Sequence, residues 1–575
     1  MKKLSDWVKE SKKNKKKKPS DFVTRFEPVG DSKSNQTDNG DSISSETIQS
    51  NNSNSNQQQQ DTPSNSDSIL PSLKTTLDSI KETIGKSTDI VFREFEFGQN
   101  GEFKAAVVFT DGLAQKYFLN DSVIKPLMVD IREANSNITF SHSTDILTLL
   151  KNHTLSTAEV SKAKTMTEIY DALLVGESIF LVDGLKEAAV IGTRHWEGRG
   201  VQEPSSQTVV RGPKDGFSET LRINTALLRR RIKDPSLWIE SFYVGKKTKT
   251  EVAIVYLKGV ATESVLKEVR KRIKRIDVDS ILESGQLEEL IQDETYTPFP
   301  TVYNSERPDG IAGGILEGRV AIIVDGTPFV LLVPALFVQF LQSPEDYYQR
   351  SDIASLIRML RFISFLLALL VPSAYIAVTT FHQEMLPTTL LVSLASQREG
   401  SPFPAFVEAL LMEVTFEILR EAGIRLPRAV GSAISIVGAL VLGQAAVEAG
   451  LVSAAMVIVV SLTAISSFVI PQYNMSISIR MLRFGFMFLA ASFGLLGIIV
   501  GIIILVLHMC SLRSFGIPYL SPMGPFNAAG QQDAIIRLPQ WKLFSRPRLI
   551  GQKDKHREET PAPSPNINMD ENKEN

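Results

Sequence analysis

FISFLLALLVPSAYIAVTTF at residues 362–381 decides how the rest of the chain is read. It contains no charge, and at about 1.5 Å of rise per residue it matches the roughly 30 Å hydrocarbon core of a bilayer. Three further runs share the property: 429–447, 451–470, and FGFMFLAASFGLLGIIVGIIILVL at 484–507. A soluble core would call for shorter, interrupted, amphipathic helices. Residues 342–512 therefore read as an α-helical polytopic membrane domain of four to six spans, with lipid as its solvent.

Outward from these runs the composition changes sharply. Across 575 residues the net charge is -2 and the mean hydropathy is about zero. Both averages combine a polar N-terminal half with a very apolar C-terminal one. The single cysteine, Cys510, excludes an internal disulfide framework and a Cys-based zinc site. No apolar core follows the N-terminal lysines, so no signal peptide is expected and the soluble part reads as cytoplasmic.

Residues 1–72 begin with a basic run (Lys12, Lys13, Lys15, Lys16, Lys17 and Lys18) and continue as Ser, Asn, Gln and Asp, including Gln57, Gln58, Gln59 and Gln60. So little of this can be buried that the segment is expected to be disordered. Its lysines either bind anionic lipid or form a solvated tail.

Two α/β lobes are expected next, at 73–205 and 206–341. FKAAVVFTDGLA (103–114) resembles VAIVYLKGVA (252–261), and the surroundings of Asp183-Gly184 resemble those of Asp325-Gly326 at an offset of 142 residues. Asp-Gly between apolar runs signals a hairpin, with φ > 0 wanted at both positions. The conserved order of the two pairs points to a duplication. It also assigns the apolar stretch 320–341 to a hairpin ending the soluble part, not to a span. Two helices of the second lobe, 219–233 and 262–276, are basic on one side; such faces are solvated, or apposed to anionic lipid or an acidic neighbour. No aromatic platform accompanies the charge, which speaks against nucleic acid. Residues 298–318 read as an irregular Pro/Gly joint and 334–350 as an amphipathic approach to the interface. Residues 513–575 read as a polar tail, fading from residue 552.

The most informative short segment is 403–423. It is apolar, yet it carries Glu408, Glu413, Glu417 and Glu421, three of which fall on one helix face. Carboxylates at membrane depth are costly unless they meet water or a partner. They are candidates to edge a cation path in an oligomer; the alternative is an interfacial helix with its acids in water. Small residues in the spans, including the Gly497/Gly501 pair, allow close packing within or between subunits. If 403–423 crosses, five crossings put the C-terminus outside; if it lies in the interface, four crossings return it inside.

Chemistry of other kinds is poorly supported. Gly85-Lys86-Ser87-Thr88 resembles the end of a phosphate loop, but Ile80 stands where that loop needs glycine. The glycines of 310–318 miss the dinucleotide spacing, and the histidines, His142, His153 and His195 among them, lack metal-ligand spacing. No catalytic site, cofactor or metal is expected.

Several blocks together resemble the A subunits of the nutrient germinant receptors of endospore-forming bacteria, the GerA family. They are GPKDGF at 212–217, LRINTALLRRRIKDP at 221–235, 299–309, 317–348, and PFPAFVEALLMEVTFEILREAGIRLPR at 402–428. The resemblance runs from about residue 73 to 520. It implies a protein of the spore inner membrane, partnered by a permease-like B subunit that recognises the nutrient and by a lipoprotein C subunit. It also implies a homo-oligomer that conducts ions early in germination. A non-conducting scaffold, or the stage-V sporulation paralogue of the family, is the alternative.

Overall fold

The computed structural model describes residues 67–563, apart from 86, 99–100, 131–159, 196–202, 205, 426–442, 548, 552–553, 555 and 558. The basic and Asn/Gln-rich stretches, His142, His153 and most of 429–447 lie outside the described residues.

The first lobe runs α1 (Leu73–Thr83), β1 (Ile90–Phe97), β2 (Phe103–Thr110), β3 (Val160–Ala163), α2 (Met166–Val175), β4 (Ser178–Val182) and β5 (Ala188–Ile191). The second runs α3 (Leu221–Arg231), β6 (Leu237–Val244), β7 (Thr250–Leu257), α4 (Glu263–Lys274), α5 (Ser284–Ile291), β8 (Tyr303–Ser305), α6 (Pro308–Leu316), β9 (Val320–Val324) and β10 (Val330–Val333). The strand orders are β1-β2-β4-β5-β3 and β6-β7-β9-β10-β8, one order used twice. Every described pairing within the two sheets is antiparallel. The central strands β4 and β9 are buried along their whole length, which is why they are uninterrupted apolar runs.

The Asp-Gly turns explain why the duplication is so visible in sequence. Only the glycines take positive φ, +87° at Gly184 and +92° at Gly326; the aspartates do not, contrary to the hairpin expectation. They have another task. Asp183 Oδ1 accepts the Leu73 amide at 2.8 Å and Asp325 Oδ1 accepts the Leu221 amide at 2.9 Å, so each caps the first helix of its own lobe. Asp183→Ala and Asp325→Ala should each cost about 0.5–2 kcal/mol, the usual worth of such a cap. Melting curves of the two variants should shift in parallel; a neutral result at both would show that the caps are idle.

Gly85, Ser87, Thr88 and Asp89 tie the first lobe to the second. Gly85 (φ +68°) leaves room for the Trp238 ring, which a Cβ would meet at 2.4 Å. The Thr88 amide donates to the Ile239 carbonyl at 3.1 Å. Asp89 receives Arg229 Nε at 2.8 Å, with both side chains fully buried. Arg229 thus departs from the solvated face expected of its helix: its length lets it cross from α3 to a carboxylate in the other lobe.

The expected irregular joint at 298–318 is instead β8 and α6, with Pro308 in the first turn, where its missing amide costs nothing. Gly314 packs α6 onto the sheet, since a Cβ there would meet Leu332 at 2.4 Å. The first half of the approach, 334–341, is largely buried, and the rest is mostly half-buried. Phe337, Phe340 and Leu341 join one core that continues from the second lobe into the apolar helices. Phe337 stacks edge-on against Phe365 at 5.5 Å.

Beyond it lie α7 (Ser351–Thr380), α8 (Thr388–Arg398), α9 (Ala405–Arg425), α10 (Ala454–Phe468) and α11 (Tyr473–Ser511). Among the described residues, α7 and α11 are long and apolar enough to cross a membrane; α10 is apolar but shorter. The run 484–507, expected to be one span, is not straight. Gly494 takes φ 61°, ψ -141°, so α11 is two helices, 473–493 and 495–511, folded back on each other. Gly501 lies against Phe486, and Gly497 against the Leu489 carbonyl, so the GxxxG pair packs within one chain. The turn sits beside Phe381 and His382 at the end of α7. Both ends of the hairpin return to the second lobe: Gln472 donates to the Asn304 carbonyl at 3.3 Å, and His508 bonds Thr297 at 2.9 Å. The C-terminal segment then packs on that lobe through Tyr519 and Ile550, and so is no free tail. The segment 484–507, counted as one crossing in either topology, is thus part of an out-and-back pair.

Candidate functional site: a ladder of Glu–Arg pairs inside the bundle

Helix α9 packs its Ala405, Glu408, Ala409 and Glu413 face inward. Ala405 and Ala409 are small enough to let the neighbouring helices approach, and this approach buries the acids between them. Glu413 meets Arg483 at 2.5 Å, both fully buried. One turn on, Glu417 meets Arg480 at 2.6 Å, with Arg420 at 3.8 Å. The rungs 413–483 and 417–480 run in opposite sequence directions because α9 and the 473–493 leg are antiparallel.

Arg483 has a second anchor whose origin lies in the sequence. Pro372 interrupts α7 and has no N–H for the carbonyl four residues earlier. Arg483 Nε fills that role, donating to the Ala368 carbonyl at 2.8 Å. Glu408 is at the other end of the bundle. It is fully buried, accepts the Ser453 amide at the start of α10, and lies 4.0 Å from Arg398. Glu421 differs from the rest: it pairs with Arg425 at 2.6 Å on an exposed surface. The structure thus brings Glu413 and Glu417 together with arginines, puts Glu408 on a helix cap, and leaves Glu421 at the edge. One oxygen of each of Glu408, Glu413 and Glu417, and Nη2 of Arg483, have no hydrogen-bond partner among the described residues.

In sequence, Arg480 and Arg483 stand just before an apolar run, where arginines ordinarily mark only sidedness. The signal for their real role was present. Two arginines three apart and two glutamates four apart, both in apolar surroundings, are the spacing that antiparallel helices bring into register.

A second charged node fixes the base of α7. Asp346 accepts from Arg358 at 2.9 Å and from Arg361 at 2.7 Å, while Asp533 of the C-terminal segment accepts from Arg358 at 2.8 Å and Tyr347 at 2.7 Å. Nearby, Asn304 receives Gln472 on its carbonyl and donates its side-chain amide to Glu288 at 3.4 Å. Burial pushes the Glu288 carboxyl up to about 7, against the Asn304 bond. A raised acid pKa means that its stability contribution is complete below about 4.5 and is lost as the pH climbs through about 7. Glu288→Gln should therefore gain about 1–3 kcal/mol over the parent at pH 8 and almost nothing at pH 4. Melting the detergent-solubilised chain at both values tests this; an equal shift at the two would refute it.

The family profile of the Bacillus/Clostridium GerA spore germination protein matches residues 78–549. The chain belongs to the GerA spore germination family. The GerA match takes in both lobes except the first half of α1, every described bundle helix and most of the C-terminal segment. Among GerA relatives, spore germination protein KA of Bacillus subtilis (strain 168) is 50% identical over 490 residues, covering 85% of this chain and 89% of that protein. Stage V sporulation protein AF of the same organism is 34% identical over 418 residues, covering 72% and 84%. Among solved structures, the N-terminal domain of the A subunit of the Bacillus megaterium spore germinant receptor GerK3 is 41% identical. It covers 48% of this chain and is itself covered to 98%, with a TM-score of 0.38.

Proposed function

We propose that this chain is the A subunit of a nutrient germinant receptor, held in the spore inner membrane by its helical bundle with both lobes cytoplasmic. Side chains such as Leu356, Ile363 and Leu366 on α7 and Ile499, Ile503 and Leu507 on the return leg are exposed. In water such a band is a liability, whereas in hydrocarbon it matches its solvent. The higher identity to the germination relative than to the stage V relative supports the receptor reading. A permease-like B subunit that takes the nutrient, a lipoprotein C subunit and further copies of this chain complete the assembly.

The observation that carries a conducting role is the line of acids on α9, three of which keep an oxygen free beside arginines that hold them. In this state Arg483 and Arg480 neutralise Glu413 and Glu417, and the path is shut. Separating a buried pair costs about 3–5 kcal/mol, so the open state would be populated below about one part in a hundred until a nutrient-bound partner favours it. A shift of the 473–493 leg along α9 would exchange arginine for a hydrated cation, with Glu408 and Glu421 at the two ends of the path. The purified complex in liposomes should show nutrient-dependent potassium flux that Glu413→Gln or Glu417→Gln changes; equal flux in assembled variants would remove this reading. A scaffold role is favoured by the pairing itself, since each acid has a stabilising partner within the chain. It requires no flux at all, with the substitutions felt only as lost stability.

A further inference from the structure

A cavity of about 470 Å³ opens where the second lobe, the approach to α7 and the C-terminal segment meet. That volume suits a small molecule. Gly310, Gly313 and Gly314 of α6 line one side, and a Cβ at Gly313 would meet nothing within 4 Å, so the space there is open. The same glycines formed the sequence pattern that matched no dinucleotide motif. Tyr347 and Tyr348 line a second side and Arg537 of the C-terminal segment a third.

The charges around it are unevenly matched. Asp309 is engaged, accepting from Arg307 at 2.6 Å and from the Tyr348 hydroxyl at 2.6 Å. Glu317 faces Arg319 at 3.4 Å and Arg557 at 3.9 Å. Arg537 has no carboxylate within ion-pair distance among the described residues. Its guanidinium donates only to the Gln349 carbonyl at 2.9 Å and the Gln540 side chain at 3.4 Å. Yet Arg537, like Arg319, is 5% exposed, and the Nε of each has no hydrogen-bond partner. A buried guanidinium without a counter-ion is costly, and planar donors of this kind match oxyanions.

We propose that this cavity binds a small oxyanion, a phosphate or carboxylate group, on Arg537 with Arg319 beside it. The group belongs either to a soluble metabolite or to the headgroup of an anionic phospholipid. Because its three sides come from three parts of the chain, an occupant ties the second lobe to the base of α7. The site is separate from the α9 acids and does not depend on conduction.

The test uses the full chain in phosphatidylcholine nanodiscs, with melting temperature followed as inorganic phosphate is added. A second arm replaces part of the lipid with phosphatidylglycerol. Saturable stabilisation by phosphate assigns the site to a soluble ligand; stabilisation by phosphatidylglycerol alone assigns it to lipid. In either case Arg537→Gln should weaken the effect about tenfold or more, the loss of a charge-assisted bond. Gly313→Leu should abolish it by filling the space. A Cβ at Gly313 meets nothing within 4 Å, and leucine favours the helix, so this variant should fold at least as well as the parent. No stabilisation in either arm, or stabilisation that survives both substitutions, overturns the proposal.

Discussion

Arg483→Met should destabilise the bundle by about 3–5 kcal/mol, since it strands the fully buried Glu413 without its cation. The Ala368 carbonyl, already deprived of a helical donor by Pro372, loses the Arg483 bond at the same time. Removing both charges is a different matter. Glu413→Leu with Arg483→Met exchanges a desolvated pair for apolar surface, and much of the loss should return, because an ion pair in low dielectric is close to neutral against a hydrophobic replacement. The incomplete part of the recovery reports the Ala368 bond, worth about 1 kcal/mol. Thermal unfolding in detergent of the two single variants and the double variant measures this directly. A double variant no better than Arg483→Met would mean that packing, not charge, is what holds α9 to the 473–493 leg.

Arg229→Ala should loosen the two lobes by a similar amount, about 3–5 kcal/mol, since Asp89 would remain buried and unpaired. The loss should be local. Ser87, which also receives Arg229 and itself accepts the Ile239 amide, belongs to the same connection, so residues 84–89 should become open to protease while the sheets persist. Arg231→Ala is the control. Its 2.5 Å pair with Asp215 is partly exposed and should be worth about 1 kcal/mol or less. Equal protease sensitivity in the two variants would show that Arg229 is not the clamp.

The duplication was legible because its markers serve the fold twice over: Asp183 and Asp325 each follow a buried strand and cap a helix. The hairpin ending the second lobe was legible for the same reason. Arg229 was not, because a guanidinium long enough to reach a neighbouring lobe looks in sequence like any solvated arginine. The fold-back of α11 was hidden as well. Gly494 stands among Gly485, Gly497 and Gly501, and hydropathy does not distinguish the glycine that turns the chain from those that let two legs touch. On α9 the acids could be found by their cost in an apolar segment. Their partners lie about 60–70 positions away, and only the antiparallel packing chooses them.

The return of the chain at Gly494 bears on how this molecule can be labelled. On the proposed membrane reading, epitopes inserted near residue 246 and near residue 554 would be reached by antibody from one and the same face of a sealed vesicle, and a tag in the 383–400 stretch from the opposite face. On that reading, reporters attached near the end of the described chain share a compartment with the lobes, since that segment packs on the second lobe, and a two-colour assay across the bilayer needs one of its probes in the short connection after α7.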